Sequence, residues 1–256
     1  MTLAVFGVLV DYLGSSGISV NAWAWIILGS LIGGLLGLIT AQKVPMTSMP
    51  ETVALFNGCG GMSSLLVAIG VVLFQSESYE TFMTMDLVGT ISIVVSVFVG
   101  AITFSGSIVA MAKLQGWLST PAWTQSKFRH AINLAFAALS MVGAIGLSMG
   151  GHNGLWLLVI GSFLLGIGVT LPIGGADMPV VISLLNSYSG IAAAAAGFVV
   201  ESQLLIVAGA MVGAAGLILT QVMCKGMNRS LISVLFGGAL GASSAMGGSE
   251  VKKYTN

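Results

Sequence analysis

The strongest constraint on this chain is a series of apolar runs, each long enough to cross a lipid bilayer as a helix. Crossing about 30 Å of hydrocarbon takes about 20 residues at a rise of about 1.5 Å per residue. Such runs lie near residues 20–42, 47–75, 83–113, 130–149, 153–173, 179–199 and 203–224. They are continuously apolar, whereas the strands of a membrane β-barrel alternate apolar with polar residues. The sequence therefore predicts an all-α, polytopic transmembrane helical bundle.

Residues 1–13 are also apolar but too short to cross the bilayer, and we interpret them as a shortened N-terminal helix. No basic segment precedes them, so a signal peptide is not expected. Only 6% of the 256 residues are charged, against about 25% in an ordinary soluble domain. This composition excludes a soluble enzyme and a disordered tail. It also excludes a nucleic-acid-binding protein, which needs a basic stripe.

The basic residues predict how the chain is oriented in the membrane. When the spans are threaded alternately, every Lys and Arg falls on one side, namely Lys43, Lys113, Lys127, Arg129, Lys225, Arg229, Lys252 and Lys253. The opposite loops carry acidic charge alone, at Asp11, Glu77, Glu80, Asp86 and Glu201. By the positive-inside rule, the basic side is cytoplasmic or the equivalent compartment of an organelle. A wrong number of spans would scatter the basic residues over both sides.

Two spans carry an asparagine about two helical turns from the basic side, Asn57 and Asn186. A carboxamide within the membrane needs hydrogen-bond partners, because an unpaired one costs several kcal/mol. Two of them at similar depth suggest a shared hydrated site, although an interhelical hydrogen bond would also account for Asn57. Asn186 belongs to a stripe that would also allow close helix packing, made of Ser183, Asn186, Ser187, Gly190, Ala194 and Gly197.

Other polar residues have both a structural and a functional interpretation. Glu51 suits the positive end of the helix that begins beside it. Asp177 could cap the following helix, or it could meet a molecule that docks from the cytoplasm. His130 could titrate near neutral pH, or it could be a solvated structural residue at the membrane interface. Hydroxyl residues of the 83–113 run, including Ser107, often bond to their own helix backbone. None of these residues alone decides between the interpretations.

The sequence contains no HExxH, CxxC, Walker loop or GxSxG motif, so no metal, nucleotide or nucleophile site is predicted on this chain. Two classes of function remain. One is a transporter or channel with a polar path near Asn57 and Asn186. The other is the membrane sector of a larger enzyme with soluble domains on the inner face. The inside-facing Gly-Gly-Ala-Asp turn at 174–177 and the linker-like last ten residues favour the second class. A secondary transporter would usually show an internal repeat, and none is evident.

Residues 174–198 (GGADMPVVISLLNSYSGIAAAAAGF) and 204–238 closely resemble the β-subunit membrane domain of the proton-translocating NAD(P) transhydrogenases. The resemblance extends to 101–116, 129–135 and 43–57. It implies that hydride passes between NADH and NADP⁺ on soluble domains and is coupled to proton passage through the membrane domain. We therefore expect residues 1–226 to form a proton-translocating domain. Residues 227–256 are expected to form a cytoplasmic linker toward an NADP(H)-binding domain that this chain lacks.

The resemblance also implies roles for individual residues. The proton path would be formed by Asn57 and Asn186, with Ser107 nearby and Glu51 toward the cytoplasmic side. Coupling to the NADP(H) domain would involve Asp177, Arg229 and Ser230. His130 matches a family histidine whose role is less defined. Some family members have a proton-carrying histidine where this chain has Asn57, and others place it on the partner α subunit. Because asparagine cannot titrate, a relay here would need water or a group from the partner.

The expected partners follow from the same resemblance. They are an α subunit that supplies the titratable histidine and the NAD(H) domain, and the chain's own C-terminal NADP(H) domain, in a dimer of αβ-type units. No residue for hydride transfer, cofactor binding or metal binding is expected on this chain. The expected location is a bacterial inner membrane, in preference to a mitochondrial one. A stand-alone proton or small-ion channel or transporter remains the alternative function.

Overall fold

The computed structural model describes residues 20–75, 87–120 and 128–235. These residues contain long α-helices and no strand. The helices are α1 (Val20–Lys43), α2 (Met49–Gln75), α3 (Leu87–Leu114), α4 (Phe128–Ser148), α5 (His152–Thr170), α6 (Met178–Val199) and α7 (Gln203–Gly226). Short 3₁₀ turns, Met46–Ser48 and Gly175–Asp177, precede α2 and α6. The seven predicted spans are thus confirmed to within a few residues, while residues 1–13 and 236–256 lie outside the described part.

All seven helices are long and apolar enough to cross a membrane. Large apolar side chains are exposed on their outer faces, for example Leu134, Met141 and Val142 on α4. In water such a surface would be an aggregation hazard, whereas in a bilayer it contacts acyl chains. The chain is therefore a multi-pass membrane protein.

The chain divides into two compact units, residues 1–48 and residues 49–256. In the described part of the first unit, α1 is followed by the 3₁₀ turn at Met46–Ser48. The helix ends at Lys43 because Pro45 disfavours helical backbone at Val44 and has no N–H to continue the hydrogen-bond ladder.

The second unit contains α2 to α7, with α3 and α6 as its central helices. Helix α3 packs against α2, α5 and α6, whereas α6 packs against α2, α3 and α7. Helix α4 packs mainly on α5. The buried share of the span is 67% for α6 but only 17% for α4. Polar side chains on α3 and α6 are therefore placed inside the bundle rather than against lipid.

Helices α6 and α7 approach each other through small residues, as the glycine spacing predicts. A Cβ added to Gly190 would lie 2.4 Å from the Gly213 nitrogen, and one added to Gly209 would lie 2.4 Å from the Ala194 nitrogen. Ser187 Oγ donates to the Gly213 carbonyl at 2.6 Å across this contact. Close backbone approach with interhelical hydroxyl bonds is a common way to hold helices together in membranes.

The polar stripe predicted on α6 serves two different contacts. Ser183 Oγ donates to the Gly216 carbonyl at 3.2 Å and accepts from Thr220 Oγ1 at 3.1 Å, so it faces α7 together with Ser187. For these residues the packing interpretation is confirmed. Asn186 does not take part in the hydrogen bonds to α7.

Candidate functional site

The carboxamide of Asn57 connects α2 to α6. Its Nδ2 donates to the backbone carbonyl of Ile182 at 3.2 Å. In an α-helix, the carbonyl of Ile182 also receives the backbone N–H of Asn186, four residues later. Asn57 is thus bound to the helical turn that carries the second asparagine.

Asn57 and Asn186 lie at matching depths on facing helices. Each is eight residues from the first residue of its helix, about 12 Å along the axis. A Cβ on Gly60 would lie 2.6 Å from Ser189 Oγ, and these two residues follow the asparagines by three positions. Asn57 itself bonds to α6, and Asn186 lies between Ile182 and Ser189, which both contact α2, so both asparagines lie at the contact between α2 and α6. Both are half-buried, and no hydrogen bond joins the Asn186 carboxamide to another described residue.

A third polar side chain, Ser107 on α3, packs on α2 at Gly58, the residue after Asn57. A Cβ on Gly58 would lie 3.0 Å from Ser107 Cβ and 3.7 Å from its Oγ, so the serine packs on the α2 backbone next to Asn57. The side chain is fully buried, and its Oγ has no hydrogen-bond partner among the described protein atoms. Buried polar groups of this kind are unusual, since most bond to protein or to ordered water. We call Asn57, Ser107 and Asn186 the polar junction.

Other hydroxyls of α3 behave differently from Ser107. Thr103 Oγ1 donates to the Val99 carbonyl at 2.7 Å and Ser105 Oγ to the Ala101 carbonyl at 2.9 Å, as expected for hydroxyls that bond to their own helix. Ser96 Oγ instead lies within hydrogen-bond distance of carbonyls on two neighbouring helices, 3.0 Å from Ser64 O and 3.3 Å from Ala192 O. The bonds of Ser96 join α2, α3 and α6 on the far side of the junction from the predicted cytoplasm.

At the predicted inner end of the bundle, Asp177 pairs with Arg229. The Arg229 Nη1 donates to Asp177 Oδ2, and the aspartate is only 5% exposed. The structure thus corrects the cap interpretation of Asp177, because its side chain makes no cap hydrogen bond at the start of α6. Ser230, the next residue after Arg229, accepts from the Ser233 backbone N–H at 3.1 Å and so caps the helical residues that begin at 231.

Lys113 is a polar contact at this end that the sequence did not single out. Its Nζ donates to the backbone carbonyls of Leu171 and of Ile173, the latter at 2.7 Å, and to Thr120 Oγ1 at 3.0 Å. From the sequence, Lys113 indicated only which side of the membrane the end of its helix lies on. No spacing signal could have paired it with carbonyls 58 and 60 residues away.

Two predicted residues lie outside the polar junction. Glu51 is half-buried in the first turn of α2, six residues before Asn57 and therefore about 9 Å along the helix. His130 accepts from Arg129 Nε at 3.2 Å, and both line a cavity of about 480 Å³ among α3, α4, α5 and α6. Residues of the polar junction do not line this cavity. The structure therefore places His130 apart from the two asparagines.

The sequence profile of the family described as NAD(P) transhydrogenase beta subunit matches residues 1–256. The chain belongs to this transhydrogenase beta subunit family. Two similar curated relatives are both named NAD(P) transhydrogenase subunit beta, one from Rhodospirillum rubrum and one from a named strain of that species. Each is 44% identical over 234 residues, which cover 90% of this chain and 50% of the relative. The transhydrogenase chain described here spans about half the length of these relatives.

Proposed function

We propose that this chain is the proton-translocating membrane domain of an NAD(P) transhydrogenase. In this proposal, hydride transfer between NADH and NADP⁺ takes place on other domains and is coupled to proton movement through the helices described here. Residues 1–226 form the membrane domain, and residues 227–256 lead toward an NADP(H)-binding domain. Membership of the beta subunit family and seven helices suited to span a membrane support this assignment.

The observation that carries the proposal is the polar junction. Asn57 bonds to the α6 backbone one turn before Asn186, Ser107 packs on α2 at Gly58, the residue after Asn57, and the Ser107 hydroxyl is buried without a protein partner. Such a group is more stable when a water molecule bonds to it. The half-buried carboxamides of Asn57 and Asn186, on the neighbouring helices, offer further donors and acceptors. The junction therefore suits a hydrated segment of a proton path.

Neither asparagine nor serine can carry a proton as a titrating group near neutral pH. The junction therefore orients water, and the titrating group comes from outside this chain. We propose that a histidine of the partner α subunit supplies it, since histidine changes charge between about pH 5 and 8. Glu51 lies about 9 Å along α2 toward the predicted cytoplasm, where a carboxylate would favour proton entry or exit.

The inner end of the domain supplies the coupling to the NADP(H) domain. Asp177 and Arg229 form an ion pair, with the aspartate buried and the arginine half-buried, that joins the start of α6 to the segment after α7. Ser230 then caps the helical residues that begin at 231, in the part of the chain that we assign to the connection with the NADP(H) domain. A protonation event in the membrane can alter nucleotide affinity only if two states of the domain differ in these contacts.

The described residues do not fit a dinucleotide site of their own. Such a site is built on a strand, a glycine-rich turn and a helix, and the described ranges contain no strand. We therefore derive no hydride-transfer step on them. The proposal assigns NAD(H) to the α subunit and NADP(H) to a further domain of the β subunit, in a dimer of αβ-type units within a bacterial inner membrane.

The test replaces Asn57 by leucine in the complete transhydrogenase, in sealed membrane vesicles. The loss of one hydrogen-bonded step raises the barrier of the proton path by about 1.4 kcal/mol. Proton movement is then about tenfold slower relative to hydride transfer, and the number of protons moved per hydride falls to the same extent. Asn186→Leu should have the same effect. Proton movement is followed with a pH-sensitive dye, and hydride transfer by the absorbance of the reduced nucleotide.

Asn133 provides a matched control, because its Nδ2 also bonds to a backbone carbonyl, that of Gly168 at 3.1 Å. Asn133→Leu should leave the proton-to-hydride ratio unchanged. An unchanged ratio in both Asn57→Leu and Asn186→Leu, with the complex assembled, would refute the assignment of the path. The alternative, a stand-alone channel, predicts proton flux from this chain alone in liposomes, whereas the transhydrogenase proposal predicts none.

A further inference from the structure

The turn between α5 and α6 is held by cations from two other parts of the chain. Lys113 of α3 binds the Leu171 and Ile173 carbonyls at the start of this turn, and Arg229 binds Asp177 at its end. The ammonium group has three donors, and all three are used, since the third bonds to Thr120. Lys113 therefore fixes the position of the turn relative to α3.

The bonds of Lys113 lie where the backbone of α5 needs partners. Leu171 is the C-cap of α5 and Ile173 lies in the turn that follows, so no backbone N–H of α5 bonds to either carbonyl. A cation near this end of the helix is also favoured by the helix dipole. Leu171 and Ile173 are 6% and 1% exposed, so water has little access to this end of α5. Lys113 is thus the group that satisfies these carbonyls.

Helix α3 connects Lys113 directly to the polar junction. Ser107 lies six residues before Lys113 on the same helix, about 9 Å along its axis. Between them, Ala110 packs in one buried cluster with Ile173, Met178 and Cys224. A displacement of α3 at the level of Ser107 is therefore transmitted to the turn by a continuous helix and by a packed cluster.

We propose that Lys113 is a positioning residue that couples the polar junction to the Asp177–Arg229 pair. The inference rests on the proposed function, in which the junction carries the proton path. When α3 moves between two states of the junction, the Lys113 ammonium group moves with it and displaces the Leu171 and Ile173 carbonyls to which it is bonded. The turn then moves Asp177 relative to Arg229, at the segment that leads to the nucleotide domain. Packed interfaces convert such small shifts into discrete alternative arrangements.

The test replaces Lys113 by methionine in the complete transhydrogenase and measures protons moved per hydride transferred in sealed vesicles. The ratio is independent of how much enzyme folds and inserts, so a loss of stability alone does not change it. We expect the ratio to fall about fivefold or more, which is the lower end of the fold-changes that coupling between sites produces. Lys113→Arg, which keeps the charge and several donors, should restore at least part of the ratio.

Lys43→Met is the matched control, because this lysine also ends a span on the predicted inner side but is exposed. Its ratio should equal that of the wild type. Thr120→Val, which removes only one of the three acceptors, serves as a milder variant and should lower the ratio to a smaller extent.

A wild-type ratio in Lys113→Met would overturn the coupling role, even if the amount of enzyme falls. If Lys113→Met does not assemble, an unchanged ratio in Thr120→Val overturns it instead. These outcomes differ from failure of the proposed function, in which the wild-type complex itself would move no protons during hydride transfer.

Discussion

Replacing Arg229 by glutamine should leave the carboxylate of Asp177 buried without its cation. The side chains of the pair are 16% and 7% exposed for Arg229 and Asp177. Removing one partner of a buried ion pair costs about 3–5 kcal/mol, because the remaining charge is uncompensated. The partial exposure of the arginine places the expected loss near the lower bound, at about 3 kcal/mol.

The reverse substitution, Asp177→Asn, should cost less. It leaves no buried negative charge, and the long Arg229 side chain can extend its guanidinium group toward water at the membrane surface. We expect a loss of about 1 kcal/mol, as for one hydrogen bond. The double variant should resemble Asp177→Asn, because the charge that made Arg229→Gln costly is then absent.

The assay is a double-variant cycle of equilibrium unfolding in mixed detergent micelles, followed by circular dichroism. Lys225→Gln is the control for the loss of a basic residue in the same region, since Lys225 is exposed, and it should change stability by less than about 0.5 kcal/mol. Equal losses from the two single variants, which add in the double variant to within about 0.5 kcal/mol, would refute the reasoning.

Two further predictions concern Gly209 and Ser107, which both lie where two helices pack against each other. Gly209→Leu should destabilise the contact of α6 and α7 by about 1–3 kcal/mol or more through overpacking, since a Cβ at position 209 would lie 2.4 Å from the Ala194 nitrogen. The control is Ala210→Leu at an exposed position, which should change stability by less than about 0.5 kcal/mol in the same unfolding assay. Ser107→Ala should lower protons moved per hydride transferred with little change in stability. A gain of about 1–3 kcal/mol with unchanged proton movement would instead mark Ser107 as a dry, unsatisfied hydroxyl.

The spans were predictable because the hydrocarbon of a bilayer imposes a length and an apolar composition on each helix. The first turn of α2 at Met49 and the last of α7 at Gly226 lie within two residues of the predicted ends. The close packing of α7 was predictable for a similar reason. Gly209, Gly213 and Gly216 recur at intervals that place them on one helix face, and only a neighbouring backbone can occupy the space they leave.

The sequence could not reveal contacts that depend on how helices rotate against one another. Ser183 and Asn186 are three residues apart, yet the serine bonds to α7, and the asparagine lies at the contact with α2. The partner of Asp177 is 52 residues away, and the two carbonyls that accept from Lys113 are 58 and 60 residues away. Periodicity places a residue on a helix face, but which helix covers that face is decided by packing of the whole bundle.

The most direct test of the central claim is a high-resolution density map of the complete transhydrogenase in its different nucleotide states. The account predicts an ordered water within about 3.2 Å of Ser107 Oγ, which also bonds to the carboxamide of Asn57 or Asn186 in at least one state. The opposite result would be a junction in which the hydroxyl and both carboxamides bond only to protein groups in every state. A dry junction of that kind would leave no route for a proton between α2, α3 and α6.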